Sequence, residues 1–408
     1  MYDVLIVGGG AAGFFAAVNL KQLAPALKVA ILERGDKPLA KVLVSGGGRC
    51  NVTHGIFDPK ELSGYYPRGQ KELLGPFHRF MTGDTMEWFE SRGVPLKIEE
   101  DGRVFPVSDS SQSIAACLQN AAKNAGVEIL LKQGVKQVRS ADKGWGLTTT
   151  QAQLQCRFLV LATGSSPKIW KLLDNMGHRI VAPVPSLFTF NIKDPILDGL
   201  AGVSVAGRVE VVGPNGKVLL QDEGPVLITH WGLSGPAVLK LSAWGARELH
   251  QLDYRFNIRV SWLGIDRQQC LELLKEQRQI QPKKKMVNAR VFDLPKRLWA
   301  RLVMQLDRAE DLIWADVRNE QLQQLASLLT ASNFEVAGKS TFKEEFVTAG
   351  GVALDEVDFR RFESKLFPGL FMAGEILDID AITGGFNFQN AWTGGYIIAE
   401  AISANQPS

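Results

Sequence analysis

Near the amino terminus, Gly8-Gly9-Gly10-Ala11-Ala12-Gly13 reads G-x-G-x-x-G. In such a turn the first glycine allows the tight bend and the second lets backbone approach a pyrophosphate. The third lets a helix pack closely on a strand. Amides beyond Gly10 then face phosphates with the positive end of a helix dipole. Glu33 stands twenty residues after Gly13, where a carboxylate accepts hydrogen bonds from ribose hydroxyls. A glycine-rich turn alone also fits a structural bend or a bare phosphate site. Its flanking strand and helix, with Glu33 beyond, make it a dinucleotide site.

Three further segments carry chemistry. Leu159 to Gly164 is an apolar run closing on Ala162-Thr163-Gly164, and Phe371 to Glu375 is a second, closing on Gly374-Glu375. Both resemble elements of flavoproteins with two dinucleotide folds, the later one contacting the ribityl-phosphate region, and together they favour FAD over NAD as resident cofactor. The usual acid there is Asp, so Glu375 is a departure that keeps the charge. Between Lys41 and Asn51, Ser45-Gly46-Gly47-Gly48-Arg49 offers backbone that can touch a cofactor without side-chain interference. Arg49 could pair with a phosphate or a substrate carboxylate. Cys50 has no partner cysteine nearby and reads as a packing residue of the flavin site rather than a redox nucleophile.

These residues need elements to hold them. Asp3 to Val7 is a continuous apolar run, as in a buried parallel strand. Ala11 to Leu23 has helical composition and stops before Pro25; Lys28 to Glu33 is a second strand, completing a βαβ unit. A helix at Ser113–Ala125 precedes strands at Val127–Leu131, Val135–Val138, Leu147–Thr150 and Arg157–Ala162. The texture turns antiparallel β after Pro183, with Val203–Val212 and Val218–Leu220. It is helical from Arg267 to about Leu329. A strand at Leu370–Ala373 and a last helix into Ile402 return to α/β. The expected fold class is α/β, a Rossmann-like domain interrupted by a β-rich insert and a small helical domain. The expected boundaries are 1–183, 184–266, 267–329, 330–344 and 345–408.

Composition narrows the class. The 408 residues are 45% hydrophobic and 22% charged, which is globular. A net charge of +3 gives no general reason to expect nucleic acid or membrane, and Lys283-Lys284-Lys285 reads as a solvated loop. Cys50, Cys117, Cys156 and Cys270 form no C-x-x-C or zinc spacing, so neither a disulfide framework nor a metal is expected. Asp3 and the early glycines make the apolar start a strand rather than a leader, and no stretch has the length of a membrane span. The expected location is the cytoplasm.

Ser45 to Asn51, Gly102 to Pro106, Thr229 to Pro236, Val347 to Val352 and Gly374 to Gln389 together resemble the BaiN-like family of bacterial NAD(P)/FAD-dependent oxidoreductases. The resemblance runs from Met1 to about Ile402. Phe362-Glu363-Ser364-Lys365 departs from the family's Met-Glu-Ser-Lys by a conservative packing change. No flavin-linking His or Cys motif is recognisable, so the FAD is expected to be non-covalent; the resemblance implies Glu33 and Arg34 at the adenosine end, with Val135 giving backbone contacts to adenine. It places Lys41, Ser45, Gly46, Gly47, Arg49, Cys50, Asn51, Gly374 and Glu375 along the diphosphate-to-flavin path. Gly385, Asn387 and Phe388 belong at the start of the last helix, against the isoalloxazine. There a helix terminus stabilises negative charge on the reduced ring.

The expected activity is FAD-dependent oxidation or reduction of a small organic substrate. No second G-x-G-x-x-G occurs between 165 and 345, so NAD(P)H would dock transiently, as a substrate. Family members reduce conjugated bile-acid intermediates or oxidise a small amino ketone, which leaves the substrate open. Alternatives are a flavin oxidase using oxygen and a non-enzymatic flavoprotein that binds RNA or a partner through Lys283–Lys285, Arg290, Lys296 and Arg297. The insert is expected to shape the substrate pocket. His230 stands either as an acid–base group or as a structural histidine.

Overall fold

The computed structural model describes residues 1–141, 143–289, 291–340 and 347–405. Arg290 and the boundary near 344 lie outside them. The chain forms two compact units, Met1–Pro185 with Lys343–Ser408, and Ser186–Phe342.

The first unit opens with β1 (Tyr2–Val7), α1 (Ala11–Leu23), β2 (Val29–Leu32) and α2 (Ala40–Gly48). It continues through β3 (Thr53–His54), α3 (Pro59–Ser63), α4 (Gln70–Phe77), α5 (Thr82–Glu90), β4 (Leu96–Ile98), β5 (Arg103–Pro106) and α6 (Ser111–Asn124). Then come β6 (Glu128–Leu130), β7 (Val135–Ala141), β8 (Gly144–Thr149), β9 (Gln153–Leu161), α7 (Pro167–Met176) and β10 (Ile180–Ser186). The sheet order is β6-β2-β1-β9-β21-β20-β19, where β19 is Val357–Asp358, β20 Glu363–Ser364 and β21 Leu370–Met372. Strands β6, β2, β1, β9 and β21 run parallel. This is why β1 is apolar without alternation: Val4, Leu5 and Ile6 are wholly buried between covered faces.

The second unit holds β11 (Thr189–Asn191), β12 (Ser204–Val212), β13 (Val218–Ile228), β14 (Gly232–Ser234), α8 (Pro236–Trp244), α9 (Ala246–Gln251) and β15 (Arg255–Ser261). Helices α10 (Arg267–Ile280), α11 (Lys296–Val303) and α12 (Asn319–Ala331) follow, then β16 (Ser332–Ala337) and β17 (Lys339–Ser340). Its antiparallel sheet, β16-β15-β12-β13-β14-β11-β17, shares one hydrophobic core with the helices; Val211, Ile258, Trp299, Trp314 and Leu325 all enter it. Gly232–Ser234 is strand β14, and Pro236 opens α8 at its first helical position.

The first unit closes with β18 (Val347–Val352), paired with β10, and with α13 (Phe386–Ser403). Helices α1 and α13 are buried almost all round. They approach closely at Gly395, where a Cβ would stand 2.8 Å from Ala12 O. No described helix is long and apolar enough to cross a membrane.

Candidate dinucleotide and flavin site

The carboxyl ends of β1, β9 and β21 meet the first turn of α1. Gly8 adopts φ +112°, and a Cβ on it would overlap the Ala162 carbonyl at the end of β9. A Cβ on Gly13 would overlap the Gly8 carbonyl. Gly10, the residue preceding α1, has nothing within 4 Å of its Cβ position. The outer glycines are therefore required by packing, and the middle one leaves room outside the helix terminus. First-turn amides of a helix have no intrahelical acceptors and can bind an anion. That arrangement fits a pyrophosphate.

Glu33 closes the turn. Its carboxylate accepts from the amides of Gly9 (2.9 Å) and Gly35 (2.7 Å). Glu33 N bonds Leu130 O and Gln133 N bonds Glu33 O, so the chain after β2 runs beside the loop entering β7. This brings exposed Arg34 next to the Gly134–Val135 backbone; a Cβ on Gly134 would lie 3.9 Å from Arg34 Cβ.

On the other side, Thr163 Oγ1 is buried without a protein partner. Gly164 (φ +60°) faces Glu375, whose carboxylate pairs with Lys41 from α2. Gly374 (φ +76°) packs near Ala12. Ala12, Thr163, Gly164, Lys41, Gly374 and Glu375 thus surround the glycine turn.

The second cluster joins Ser45–Asn51 to the start of α13. Helix α2 breaks at Ser45, and Gly46, Gly47 and Gly48 take positive φ, with open space off Gly47 and Gly48. Cys50 is fully buried, and burial pushes its thiol up to about 12, so it is a protonated packing group at neutral pH. With its amide oriented to satisfy both ends, Asn51 donates to Thr53 O and Val104 O and accepts from Gly385 N. Asn387 closes the preceding loop through both backbone groups of Ala381, and Phe388 stacks on Trp392. Asn51 and Asn387 therefore fix the backbone around the terminus of α13.

Arg49 has close partners of its own. Its guanidinium pairs with Glu99 and Asp109 and lies 3.9 Å over the Phe105 ring. Those carboxylates are fifty and sixty residues away, which no local motif reveals. His230 is exposed between β13 and β14.

Several residues beside α13 escaped the sequence reading. Phe386 stacks with Tyr65 (4.6 Å, 8°) and with His54 (4.8 Å, 15°). Among the described residues His54 Nδ1 is buried without a partner, and burial lowers its pKa below the ordinary imidazole value. Tyr66 donates to Phe386 O (2.6 Å), and Asp380 pairs with Arg68 in the buried loop before α13. The sequence signal was only that His54 directly follows Asn51-Val52-Thr53. Among the described residues no group of His, Cys, Asp and Glu has the arrangement of a metal site.

A parallel sheet whose strand ends carry two glycine turns, an acid and a helix terminus defines a dinucleotide-binding protein of the Rossmann class. The HI0933-like protein Rossmann domain family matches residues 2–401, and the chain belongs to that family. It is 30% identical to a ribosomal RNA dihydrouridine synthase of Escherichia coli, over 100% of this chain and 99% of the relative. It is 27% identical to a 3-dehydro-bile acid delta(4,6)-reductase of Clostridium scindens, over 100% of both. Among solved structures, the 3-ketosteroid delta1-dehydrogenase of Sterolibacterium denitrificans shares the fold, with TM-score 0.52, 13% identity, and 99% and 100% of the two chains covered. With relatives that are oxidoreductases, the non-enzymatic alternative falls away.

Proposed function

We propose that this protein reduces a carbon–carbon double bond conjugated to a carbonyl, and that its substrate is a uracil ring in ribosomal RNA. The carrying observation is the 30% identity with a ribosomal RNA dihydrouridine synthase across essentially both whole chains. Dihydrouridine is uridine saturated at C5–C6, a bond conjugated to the C4 carbonyl. The bile acid reductase, at 27% identity, acts on a 3-dehydro compound at delta(4,6), which supports the same class of reaction. The low net charge that argued against nucleic acid is outweighed by this likeness.

The bond to be reduced gains a hydride at the carbon remote from the carbonyl and a proton at the adjacent one. NAD(P)H supplies the electron pair and leaves as NAD(P)⁺. FAD, when bound, would provide a ring able to accept and pass on a hydride. Gly8, Gly10, Ala12 and Gly13 would hold its pyrophosphate. Glu33, Arg34 and Val135 would hold the adenosine end. Lys41, Ser45–Gly47, Ala162–Gly164, Gly374 and Glu375 would line the ribityl side. Cys50 would pack beneath this path, and Asn51 and Asn387 fix Gly385 and the first turn of α13. The amides there favour negative charge nearby.

The test supplies FAD-loaded protein with unmodified bacterial ribosomal RNA and NADH or NADPH, and reads dihydrouridine by nucleoside mass spectrometry. Saturated uridine at a discrete site is expected. Turnover of a cyclic dienone with no change in RNA would instead establish the small-molecule reading.

A further inference from the structure

The second unit carries a cationic surface that the flavin site does not use. Between Lys275 and Arg301 the sequence has nine basic residues against two acidic ones, Glu276 and Asp293, a surplus of seven; the rest of the chain is negative by four. The small net charge of the whole molecule conceals this concentration.

The folded segment brings the charges together. The turn after α10 carries Lys283, Lys284 and Lys285, all exposed, and Lys285 bridges to Ile313. Trp299 of α11 donates to Met286 O at 2.8 Å, which seats α11 directly against this turn. Lys296 and Arg297, also exposed, occupy its first two positions. A recess of about 470 Å³ lies there, between Ser204–Ala206 and Phe292–Lys296, with Asp293 on its wall.

Local structure accounts for only part of this charge. Cations at a helix carboxyl end are favourable, which would explain lysines just after α10. Lys296 and Arg297, however, sit at the positive end of α11, whose first turn has no acid, and there the dipole opposes them. Lys285 is paired with Asp311 at 2.6 Å. Arg297 and Arg301 bond backbone carbonyls of Gly199, Pro195 and Asp198, contacts that orient the guanidinium without neutralising it. Lys283, Lys284 and Lys296 form no ion pair among the described residues.

We propose that this surface, centred on Lys283, Lys284 and Lys296, docks the phosphate backbone of structured RNA. The inference rests on the reading of RNA as substrate and adds where the chain holds it. Exposed lysines around a recess suit a ribose-phosphate strand, whose affinity comes from counterion release rather than base recognition.

The experiment measures binding of in vitro transcribed large-subunit ribosomal RNA by the full-length, FAD-loaded protein across a salt series. It compares the native chain with Lys283→Gln/Lys284→Gln/Lys296→Gln. Each lost phosphate contact lowers the salt slope by about 0.7 to 0.9, so the triple variant should lose about two units of slope and at least about tenfold in affinity at physiological salt. Flavin content and reduction of a small dienone should be unchanged, and circular dichroism checks the fold. An unchanged slope with native RNA affinity overturns the docking surface while leaving the reductase reading intact. Absence of RNA binding by the native protein overturns both the surface and the RNA substrate. Equal, lysine-dependent binding to polyglutamate or to anionic phosphatidylserine vesicles would reassign the surface and overturn the RNA proposal.

Discussion

The carboxylate of Glu33 is already engaged by two backbone amides, those of Gly9 and Gly35. Its lone pairs are not exhausted, because an ionised carboxylate accepts about four hydrogen bonds. Glu33 thus shapes the glycine turn as well as offering oxygens to a ribose. Hydrogen bonds to a charged group contribute about 1.5–3 kcal/mol, so Glu33→Ala should weaken FAD binding by about tenfold or more. Cys50→Ser should leave FAD binding within a few-fold, since the buried thiol contributes packing and is protonated at working pH. Fluorescence titration of apoprotein with FAD measures both. A colourless but folded Cys50→Ser protein beside a fully loaded Glu33→Ala protein would contradict the assignment.

Helices α1 and α13 form the spine of the first unit, and Gly395 sets how near they come. A Cβ there would meet Ala12 O at 2.8 Å and Ala16 N at 3.0 Å, both backbone atoms that cannot turn aside. Gly83 in α5 is followed by Asp84, and its Cβ position has only the Phe57 ring edge near it, at an ordinary contact distance of 3.9 Å. The same substitution should therefore act in opposite directions. Gly83→Ala should stabilise by up to about 1 kcal/mol through helix propensity. Gly395→Ala should destabilise by about 1–3 kcal/mol through overpacking, and it should weaken FAD binding because Ala12 moves with α1. Urea unfolding with equal m-values checks the pair; a stabilised Gly395→Ala protein would show that the helices separate freely.

For the molecule as a whole, the cofactor is expected to be held by non-covalent contacts alone. Acid precipitation should release all the flavin into the supernatant, and yellow colour kept in the pellet would reveal a covalent link. Protein stripped of FAD should unfold at lower temperature, and added FAD at about 100 times Kd should restore about 2.7 kcal/mol by mass action. Differential scanning fluorimetry against FAD concentration reads this, and a melting temperature independent of FAD would refute it.

Local chemistry made much of the first unit legible. An unbroken apolar strand, three glycines at fixed spacing, a helix stopped by Pro25 and an acid twenty residues on are all short-range features, and together they identify β1, α1 and β2. The helix Ala11–Leu23 has the same limits in sequence and structure. The region from Thr53 to Pro106 was not legible, because strands of two to four residues carry too little periodicity to stand out. Tertiary structure alone decided that Arg49 serves Glu99 and Asp109, that Asn51 holds Gly385, and that His54, Tyr65 and Phe386 stack. It also set Lys296 and Arg297 beside the lysine turn. Each of these joins positions far apart along the chain, and such contacts depend on how strands and helices are ordered in space, which a local pattern of residue types does not encode.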